Sequence, residues 1–308
     1  MGTCAIIVTY FPDPEVFGRL IDAIRDDVDA IAIVNNGGVL PPVSEPSKVH
    51  EIRNEANVGL SPALNQGIAW ATEHNFTSVI FFDHDSQPSR DMIATLHRSL
   101  DSLVSRGVRV AGVGPVYSDP RTGEEAPFVR WGFPHHLLLY ASGDAPIGTD
   151  FLITSGTLVP MTVLHDLGGM DGTLFIDCVD MDWCFRARAK GYDFFGVPEA
   201  RMAHSIGDQI MEIHVLGRRR KITIHSPIRL YYIMRNRVLL YAAPATMWSW
   251  VFSDMMRIPV KLGIFMLLVP DRLRNTRCML MGLWHGIIGR RGPAPSRLVT
   301  PPQQSSQS

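Results

Sequence analysis

The sequence predicts an α/β protein in which a mostly parallel central sheet is flanked by helices. Short strand-like runs alternate with amphipathic helical patterns over the first 120 residues, the arrangement expected of βαβ units. Apolar residues make up 46% of the 308 residues and charged residues 19%, so the chain can fill a large core and the disordered class is excluded. Polar clusters directly follow three predicted strands, where ligands bind in parallel sheets.

The first 120 residues contain five predicted strands and three predicted helices. Asp13-Pro14 opens the first helix, whose apolar residues recur at helical spacing on one face. The second strand is stopped by Asn35-Asn36, and the fourth ends at Asp83. The predicted strands are residues 4–10, 30–34, 50–53, 78–82 and 108–116, and the later helices are residues 61–74 and 90–103.

Regular patterns are weaker between residues 118 and 241. Residues 118–150 are rich in Gly, Pro and polar residues and are interpreted as a long loop. A helix is predicted over 180–190, ended by Gly191. The basic run 218–221 is interpreted as a solvated loop. Strands are predicted over residues 151–160 and 194–197.

Residues 247–269 form a strongly apolar segment with one narrow polar stripe. Asp254 and the kink-forming Pro259 argue against a membrane-spanning helix, so a helix lying in the plane of a membrane surface fits better. A buried core helix or a dimer contact, which would make the protein a homo-oligomer, is the alternative. The stripe consists of Ser249, Ser253, Arg257 and Lys261.

Charge divides the chain unevenly and suggests its organisation. Residues 1–200 hold 13 Lys and Arg against 26 Asp and Glu, whereas residues 201–308 hold 16 against 4. The basic part suits a phosphate-bearing ligand or an anionic membrane face, and no basic cluster coincides with a nucleic-acid-reading motif. We expect a catalytic domain over residues 1–240, an amphipathic helical membrane-associating region over 241–291, and a disordered tail over 292–308.

The strongest local signal for chemistry is Asp83-His84-Asp85, which follows an apolar strand directly. At a strand-to-loop turn, two such carboxylates can converge on one hard cation and its bound phosphate oxygens. His204 is a candidate third ligand, which would complete an N/O site suited to Mn²⁺ or Mg²⁺. The alternatives are solvated turn carboxylates and a structural histidine.

A second acidic cluster lies at residues 175–186, at the start of a predicted helix. One carboxylate in an apolar setting can act as a general base, and Asp180 is the candidate. Helix capping is the alternative, with Asp182 paired to Arg186 at i+4. Further along, Arg229, Tyr232 and Asn236 recur at about one helical turn and could grip a diphosphate.

Taken in order, these motifs resemble the inverting GT-A glycosyltransferases of family 2, and more closely the bacterial rhamnosyltransferases that use dTDP-L-rhamnose. The resemblance covers about residues 4–240. The motifs that carry it are Val8-Thr9-Tyr10-Phe11-Pro12-Asp13, Val34-Asn35-Asn36-Gly37, Asn57-Val58-Gly59-Leu60 with Asn65 and Gly67, Phe82-Asp83-His84-Asp85-Ser86, Ser155-Gly156, the 175–186 block and the segment HSPIRLYYIMRN at residues 225–236.

The resemblance implies a role for each matching residue. It implies a divalent metal, Mg²⁺ or Mn²⁺, held by Asp83 and Asp85 with His204 as the additional ligand, and it makes Asp180 the catalytic base. It implies an acceptor pocket lined by Ser155, Gly156 and Trp183. The implied donor-binding residues are Thr9, Tyr10, Asn35, where the family usually has Asp, and further Asn57, Gly59, Asp83, Arg229, Tyr232 and Arg235.

The implied activity is inverting transfer of L-rhamnose from dTDP-L-rhamnose to a hydroxyl of a lipid-linked saccharide in cell-surface polysaccharide biosynthesis, such as that of O-antigen. The protein would then act in the cytoplasm, peripherally on the inner face of the bacterial cell membrane. The alternatives are a family 2 enzyme using UDP-galactofuranose or UDP-N-acetylglucosamine, a metal-dependent hydrolase, and a non-catalytic GT-A scaffold subunit. The intact carboxylate set argues against the scaffold.

Overall fold

Strands and helices alternate through the first third of the chain, as predicted. The computed structural model describes residues 2–43, 45–133, 135–204, 207, 209–215 and 218–298. The side chain of Asp13 accepts hydrogen bonds from the backbone N–H groups of Glu15 and Val16 and so caps the first helix. The elements in order are β1 Thr3–Thr9, α1 Pro14–Ile24, β2 Ala30–Asn35, β3 Val49–Arg53, α2 Leu60–Glu73, β4 Ser78–Asp83, β5 Gln87–Pro88, α3 Met92–Ser105 and β6 Val110–Ser118.

The second part of the chain departs from the prediction in three places. The predicted loop over 118–150 contains three short strands, and the predicted strand over 151–160 is a strand only over its last three residues. The basic run 218–221 lies in a strand of a hairpin rather than in a loop. These elements are β7 Phe128–Arg130, β8 Leu137–Leu139, β9 Ile147–Thr149, β10 Leu158–Pro160, α4 Met161–Leu167, α5 Val179–Ala189, β11 Asp193–Ala203, β12 Gln209–Val215, β13 Arg218–Ile224, α6 Pro227–Tyr241, α7 Trp248–Leu267 and α8 Arg272–Ile287.

The main sheet is mostly parallel and has the order β3-β2-β1-β4-β10-β6-β11-β5, with β9 also paired to β11. The pairs β2–β3, β1–β2, β1–β4 and β6–β11 are parallel. Strand β10 runs antiparallel between β4 and β6. Because Thr9 pairs with Asn35 and Val8 with Asp83, the carboxyl ends of β1, β2 and β4 meet at one edge.

Apolar side chains fill both faces of this sheet. Strand β1 is buried throughout, so its alternating residues face opposite layers. Cys4 and Ile6 belong to the layer that contains α2 and α5, and Ala5 and Ile7 belong to the layer that contains α1 and α3. The polar side chains that follow the strands therefore stand at the rim of a packed core.

The last helices pack onto the first domain rather than standing apart from it. Gly282 of α8 lies so close to α6 that a Cβ atom there would come within 2.4 Å of the backbone oxygen of Tyr231. Such close helix contact needs a residue without a side chain. The expected domain boundary at residue 240 falls in the last turn of α6.

The prediction of a disordered tail from residue 292 is wrong for residues 292–298. The Gly292 N–H donates to the Thr173 carbonyl at 2.7 Å, and the Ala294 N–H donates to the Tyr232 hydroxyl at 2.7 Å. Leu298 is buried against the same region. Residues 299–308 lie outside the described residues.

Over the described ranges, none of the helices combines the length and the apolar character that crossing a bilayer would need.

Candidate active site

Three predicted metal ligands lie together at the carboxyl end of β4. The ligand atoms of Asp83, Asp85 and His204 are all within 4.8 Å of one another. His204 Nε2 is 3.5 Å from Asp83 Oδ2, and His204 Nδ1 is 3.8 Å from Asp85 Oδ1. Asp83 ends β4 and His204 follows β11, so two separate strands deliver this group.

The composition of this group fits a divalent cation of the Mg²⁺ or Mn²⁺ type. Two carboxylates and one imidazole provide hard oxygen ligands with one borderline nitrogen. Withdrawal from solvent raises the pKa of Asp83, the nearby His204 lowers it, and the carboxylate of Asp85 raises it again. A cation would relieve the repulsion between the carboxylates.

Ser86 and Ser155 support the metal-ligand group through hydrogen bonds. Their hydroxyls hydrogen bond to each other at 2.6 Å, and the Asp83 N–H donates to Ser155 Oγ at 3.2 Å. Ser86 Oγ also lies 3.4 Å from His204 Nδ1. Ser155 is only 2% exposed. Its expected place in the lining of an acceptor pocket is therefore wrong, because the hydroxyl orients the turn that carries Asp83.

Gly156 has a related structural role and is also buried rather than exposed to an acceptor. Its N–H donates to the Phe81 carbonyl at 2.7 Å, and its φ is +79°. A Cβ atom at this position would lie 2.8 Å from the Pro115 ring. The left-handed backbone and the close approach both require glycine there.

Asp180 lies in the first turn of α5, where burial changes its acidity. Desolvation raises the pKa of Asp180 to about 7, against the lowering effect of a hydrogen bond from the Met181 N–H, and the charges of Asp177 and Asp83 raise it further. The effect of Asp83 means that the two carboxylates are within electrostatic range of each other. Asp180 therefore interacts electrostatically with one member of the candidate metal-ligand group.

The segment before α5 is held in an unusual backbone conformation. Phe175, Asp177 and Cys178 have φ angles of 68°, 65° and 61°, a region that non-glycine residues rarely adopt. Such conformations persist only where the surroundings fix them, and they are common at functional sites. We call residues 174–178 the base loop, because the segment leads into Asp180.

Asn236 of α6 fixes the base loop through its side-chain amide. Asn236 Nδ2 lies 3.0 Å from the carbonyl oxygen of Leu174 and 2.8 Å from those of Ile176 and Asp177. The side chain is fully buried. Asn236 therefore lies on a helix as predicted, but its side chain binds backbone carbonyls of the base loop.

The donor-binding role that the resemblance implies for Arg235 is wrong, because the residue is 0% exposed and its guanidinium binds groups of the protein itself. Its Nη2 donates to the Leu174 carbonyl at 2.8 Å, its Nε donates to Asn236 Oδ1 at 2.9 Å, and its Nη1 donates to the Gly292 carbonyl. Burial at this position is tolerated because carbonyl and amide oxygens satisfy the guanidinium.

Tyr232 is also a wrong prediction as a donor ligand. Its ring stacks on Phe175 at 5.0 Å with a 9° interplanar angle, and its hydroxyl accepts from the Ala294 N–H. Arg229, by contrast, lies close to the site: it pairs with Asp177 at 2.7 Å, and its charge lowers the pKa of Asp83. Arg229 therefore interacts with the base loop through an ion pair and with Asp83 through its charge.

Trp183 and Asp180 line one small cavity together with Phe81 and Thr154. Trp183 is only 3% exposed, and its Nε1–H donates to the Gly168 carbonyl at 3.4 Å. Its expected contact with an acceptor is therefore wrong. The ring supplies part of the apolar surroundings that desolvate Asp180.

The residues predicted to bind the nucleotide at the ends of β1 and β2 differ in their exposure to solvent. Tyr10 is 44% exposed and makes an edge contact with Phe11, whereas Thr9 and Asn35 are buried. Asn35 Nδ2 donates to Glu51 Oε1 at 3.0 Å, and its Oδ1 accepts from the Gly37 N–H at 3.0 Å. Asn35 therefore shapes the turn after β2, and its amide group is already partnered.

Asn57 and Gly59 connect α2 to the base loop. Asn57 Oδ1 accepts from the Gly59 N–H at 2.9 Å, and the Leu60 N–H donates to the Phe175 carbonyl at 2.6 Å. A Cβ atom on Gly59, whose φ is +97°, would lie 2.7 Å from Phe175. The close approach of Phe175 therefore requires a glycine at position 59.

Sequence reasoning missed Tyr117, Ser86 and the structural role of Ser155. Burial raises the pKa of Tyr117 to about 12, and the charge of Asp180 adds to the shift, so this phenol lies near the candidate base. Tyr117 is at the end of β6, and that position after a predicted parallel strand is the one signal that could have identified it.

Comparison with known proteins agrees with this geometry. Residues 4–121 match the family described as glycosyl transferase family 2. The dTDP-rhamnosyl transferase RfbF of Shigella flexneri is 32% identical over 241 residues, which cover 77% of this chain and 78% of that protein.

Solved structures of low identity share the fold. GalNAc-T7 with UDP, GalNAc and Mn2+ has a TM-score of 0.56 at 12% identity, covering 93% of this chain and 56% of that chain. TarS 1-349 of S. aureus in complex with UDP-GlcNAc has a TM-score of 0.53 at 11% identity, covering 97% of this chain and 83% of that chain. This chain thus spans little more than half of the GalNAc-T7 chain. The likeness confirms the GT-A fold, and together with the family match and the RfbF relative it means that the chain is a glycosyltransferase belonging to glycosyl transferase family 2.

Proposed function

We propose that the protein transfers L-rhamnose from dTDP-L-rhamnose to a hydroxyl of a saccharide acceptor, with inversion at the anomeric carbon. The similarity to a dTDP-rhamnosyl transferase supports the donor. The observation that carries the mechanism is the position of Asp180, a desolvated carboxylate within electrostatic range of Asp83 in the three-residue ligand group.

On the donor side, Asp83, Asp85 and His204 would hold the divalent cation. When bound, the cation neutralises negative charge on the departing nucleotide diphosphate. Arg229 lies beside the same group and adds a positive charge toward the phosphates. Tyr10 offers an exposed ring for the thymine base at the carboxyl end of β1, with Thr9 and Asn35 supporting that turn from beneath.

On the acceptor side, Asp180 takes the proton from the attacking hydroxyl. The hydroxyl oxygen forms a bond to the anomeric carbon from the face opposite the diphosphate, whose bond to that carbon breaks in the same displacement. A pKa of about 7 leaves the carboxylate largely ionised above neutral pH and still basic enough to accept a proton. General-base assistance of this kind is typically worth about 10²–10⁴-fold.

The proposed acceptor is a lipid-linked saccharide, and the proposed location is the inner face of the bacterial membrane. Helices α7 and α8 expose an apolar surface that includes Trp248 at 81% and Leu273 at 89% exposure. Exposed apolar surfaces of this extent mark interaction sites. Arginines beside it favour an anionic lipid surface. Residues 241–291 are thus proposed as the membrane-associating region.

The direct test supplies dTDP-L-rhamnose, Mn²⁺ and lipid-linked saccharides and follows the acceptor mass. We expect a gain of one deoxyhexose that requires protein, donor and divalent cation. Parallel reactions contain UDP-galactofuranose or UDP-N-acetylglucosamine. Transfer from either of those donors in preference to dTDP-L-rhamnose would contradict the proposed specificity, and release of rhamnose to water alone would instead indicate a hydrolase.

A further inference from the structure

A groove of about 620 Å³ lies between α7, the β12–β13 hairpin and the segment that contains Phe133 and His135. Most of its walls are apolar. Phe133 meets Phe252 of α7 edge to face at 4.9 Å and so joins the segment to the helix. The apolar side chains that line the groove are Phe133, Ile222, Phe252, Met256, Val260, Ile264 and Phe265.

Two cations lie on this apolar background. Arg257 and Lys261 are one helical turn apart on α7, and both line the groove. The Lys261 ammonium forms no ion pair with any described residue, although the ring of Phe265 lies 5.9 Å away. Burial lowers the pKa of Lys261 to about 8. Lys261 is partly buried and has no carboxylate within ion-pair distance among the described residues, although the charges of Asp177 and Asp254 act on it, so a bound anion would stabilise the cation.

The polar stripe predicted on α7 thus has an unexpected place. Three of its four members, Ser253, Arg257 and Lys261, line the groove. Several large apolar side chains of the same helix, among them Trp248 and Met255, are exposed, whereas Trp250 is buried. Arg257 is itself exposed, and Lys261 is partly buried. The helix therefore presents apolar and positively charged side chains together at the groove.

One apolar cluster connects the elements that form the groove wall to the residues around Asp180. Cys178 and Met181, which flank Asp180, pack in one apolar cluster with Trp131 and Trp250. Trp131 is two residues from Phe133 in the groove wall, and Trp250 is two residues from Phe252. The charge of Asp177 raises the pKa of both Lys261 and Asp180, so Lys261 and the base loop are within electrostatic range of each other.

We propose that this groove binds the phosphate-bearing lipid end of the acceptor, with Arg257 and Lys261 contacting the phosphate and the apolar walls contacting the hydrocarbon chain. The inference rests on the proposed function, because it adds a lipid-phosphate subsite to the acceptor. The acceptor lipid is favoured over a bulk phospholipid because the apolar cluster beside the groove wall includes Cys178 and Met181, which flank Asp180.

The binding test uses farnesyl phosphate as a water-soluble probe, titrated into the full-length protein by calorimetry in EDTA. Without divalent cations, the ligand group at Asp83 does not contribute to phosphate binding. We expect farnesyl phosphate to bind, and farnesol and inorganic phosphate each to bind at least about 10-fold more weakly, because each lacks one half of the interaction. Monomeric dihexanoyl phosphatidylglycerol forms the arm that represents a bulk lipid, and displacement of farnesyl phosphate by this lipid with equal or tighter affinity would overturn the choice of the acceptor lipid.

Two variants locate the site. Lys261→Met keeps the length and apolar stem of the side chain and removes the charge, and we expect it to weaken farnesyl phosphate binding about 10-fold. Val260→Glu places a negative charge on an exposed part of the groove wall. This charge would repel the phosphate of the probe, so the variant should also weaken binding. The matched control is Lys190→Met, because Lys190 pairs with Asp166 after α5 and is distant from the groove wall. Equal loss in the control and in Lys261→Met would overturn the site.

The kinetic test separates this inference from the proposed function. The readout is the ratio of kcat/KM for a lipid-linked acceptor to that for the same saccharide as a methyl glycoside. We expect Lys261→Met to lower this ratio about 10-fold. If the wild-type protein transfers rhamnose to both acceptors and the ratio does not change in the variant, the groove inference fails while the function stands.

Two further outcomes are distinguishable. If neither acceptor is glycosylated but farnesyl phosphate binds with the expected dependence on Lys261, the proposed reaction fails and the groove remains a lipid-phosphate site. If farnesyl phosphate does not bind and sedimentation shows a dimer that Val260→Glu dissociates, a second copy of the chain covers the groove and the inference is overturned.

Discussion

Asp180 illustrates how the surroundings of a single residue decide its chemistry. Its carboxyl group is withdrawn from solvent beside Trp183, and the charges of Asp177 and Asp83 further disfavour ionisation. A raised pKa in the folded state means that the native protein binds this proton more tightly than the unfolded chain does. The desolvation and negative charges that raise the pKa and make Asp180 a useful base therefore lower the stability of the protein once Asp180 is ionised.

Asp180→Asn should stabilise the protein at high pH while slowing turnover at least about 10²-fold. The folded-state pKa is about 7 and the ordinary value is 3.8, so the wild-type protein loses stability as pH rises from about 4 to about 7. The amide variant lacks this loss. We expect its Tm to exceed that of the wild type at pH 8 and to approach it at pH 4, measured by scanning calorimetry without divalent cations. A pH-independent difference in Tm would contradict the pKa of about 7.

Asp85→Ala should weaken Mn²⁺-dependent donor binding, since it removes one of the three ligands. We expect the Kd of dTDP-rhamnose in Mn²⁺ to rise at least about 10-fold, a typical effect of losing a ligand contact to a charged group. Calorimetry with and without EDTA measures this dependence. Asp101→Ala is the control, because Asp101 is exposed on α3. Unchanged metal dependence in Asp85→Ala would remove this residue from the site.

The roles of single residues were predictable only where chain position decides them. Asp83 and Asp85 follow a strand of a parallel sheet, and that position alone indicates a ligand site. The errors at Ser155, Trp183, Tyr232 and Arg235 share one cause. Each side chain is buried against backbone groups or rings that belong to distant parts of the chain. Burial of that kind cannot be derived from local sequence patterns.

At the scale of elements, α6 and α2 together determine where the base loop lies. Asn236 of α6 contacts three carbonyl oxygens of the loop, while the first turn of α2 donates to the Phe175 carbonyl. The left-handed residues of the loop are thus held from two sides. We therefore regard Asn236 as a positioning residue for Asp180.

Asn236→Ala should lower kcat much more than it changes donor affinity. Loss of the amide leaves the Ile176 and Asp177 carbonyls without this partner, although the Leu174 carbonyl keeps its bond from Arg235, and it lets Asp180 move. A displacement of about 1 Å can cost about 10²-fold in rate. We expect the Kd of dTDP-rhamnose to stay within about twofold of the wild type. Steady-state kinetics and calorimetry provide the two values.

The control for this change is Asn275→Ala, which removes a buried amide that donates to the Pro270 carbonyl at the start of α8. We expect a loss of stability of about 1–3 kcal/mol without a matching fall in kcat. If both variants lower kcat in proportion to their loss of stability, Asn236 has no specific positioning role.

Elements with local signals were predicted well, and elements with distant partners were not. Strands β1, β2 and β4 and helices α1 to α3 differ from the prediction by one or two residues at their ends. Strand β10 inserts antiparallel between β4 and β6, an order that depends on pairing across distant segments. The basic run in β13 lacks an apolar alternation, yet it pairs along its whole length with β12.

At the scale of the whole molecule, the uneven charge follows the proposed division between the donor site and the membrane-associating region. The acidic first part contains Asp83, Asp85 and Asp180, and the basic last part contains His204 together with α7 and α8. The exposed apolar side chains of these two helices lie next to arginines, as expected for binding to anionic lipids. The distribution is consistent with the proposal that this surface binds a membrane.

The protein should bind vesicles of phosphatidylglycerol and phosphatidylcholine more strongly than vesicles of phosphatidylcholine alone, since each basic residue near an anionic surface contributes about 1 kcal/mol. Sedimentation with vesicles measures the bound fraction. Trp248→Glu, at a side chain with 81% exposure, should reduce binding, whereas the exposed Val104→Glu on α3 should not. Equal binding to neutral vesicles, or equal loss in both variants, would contradict the assignment of this surface.

The most direct test of the account measures donor binding and rhamnose transfer side by side for the wild type and Asp180→Asn. If Asp83, Asp85 and His204 serve the diphosphate and Asp180 serves the acceptor, the variant should bind dTDP-rhamnose in Mn²⁺ with an unchanged Kd and transfer rhamnose at least about 10²-fold more slowly. Transfer at the wild-type rate by Asp180→Asn would contradict the account at its centre.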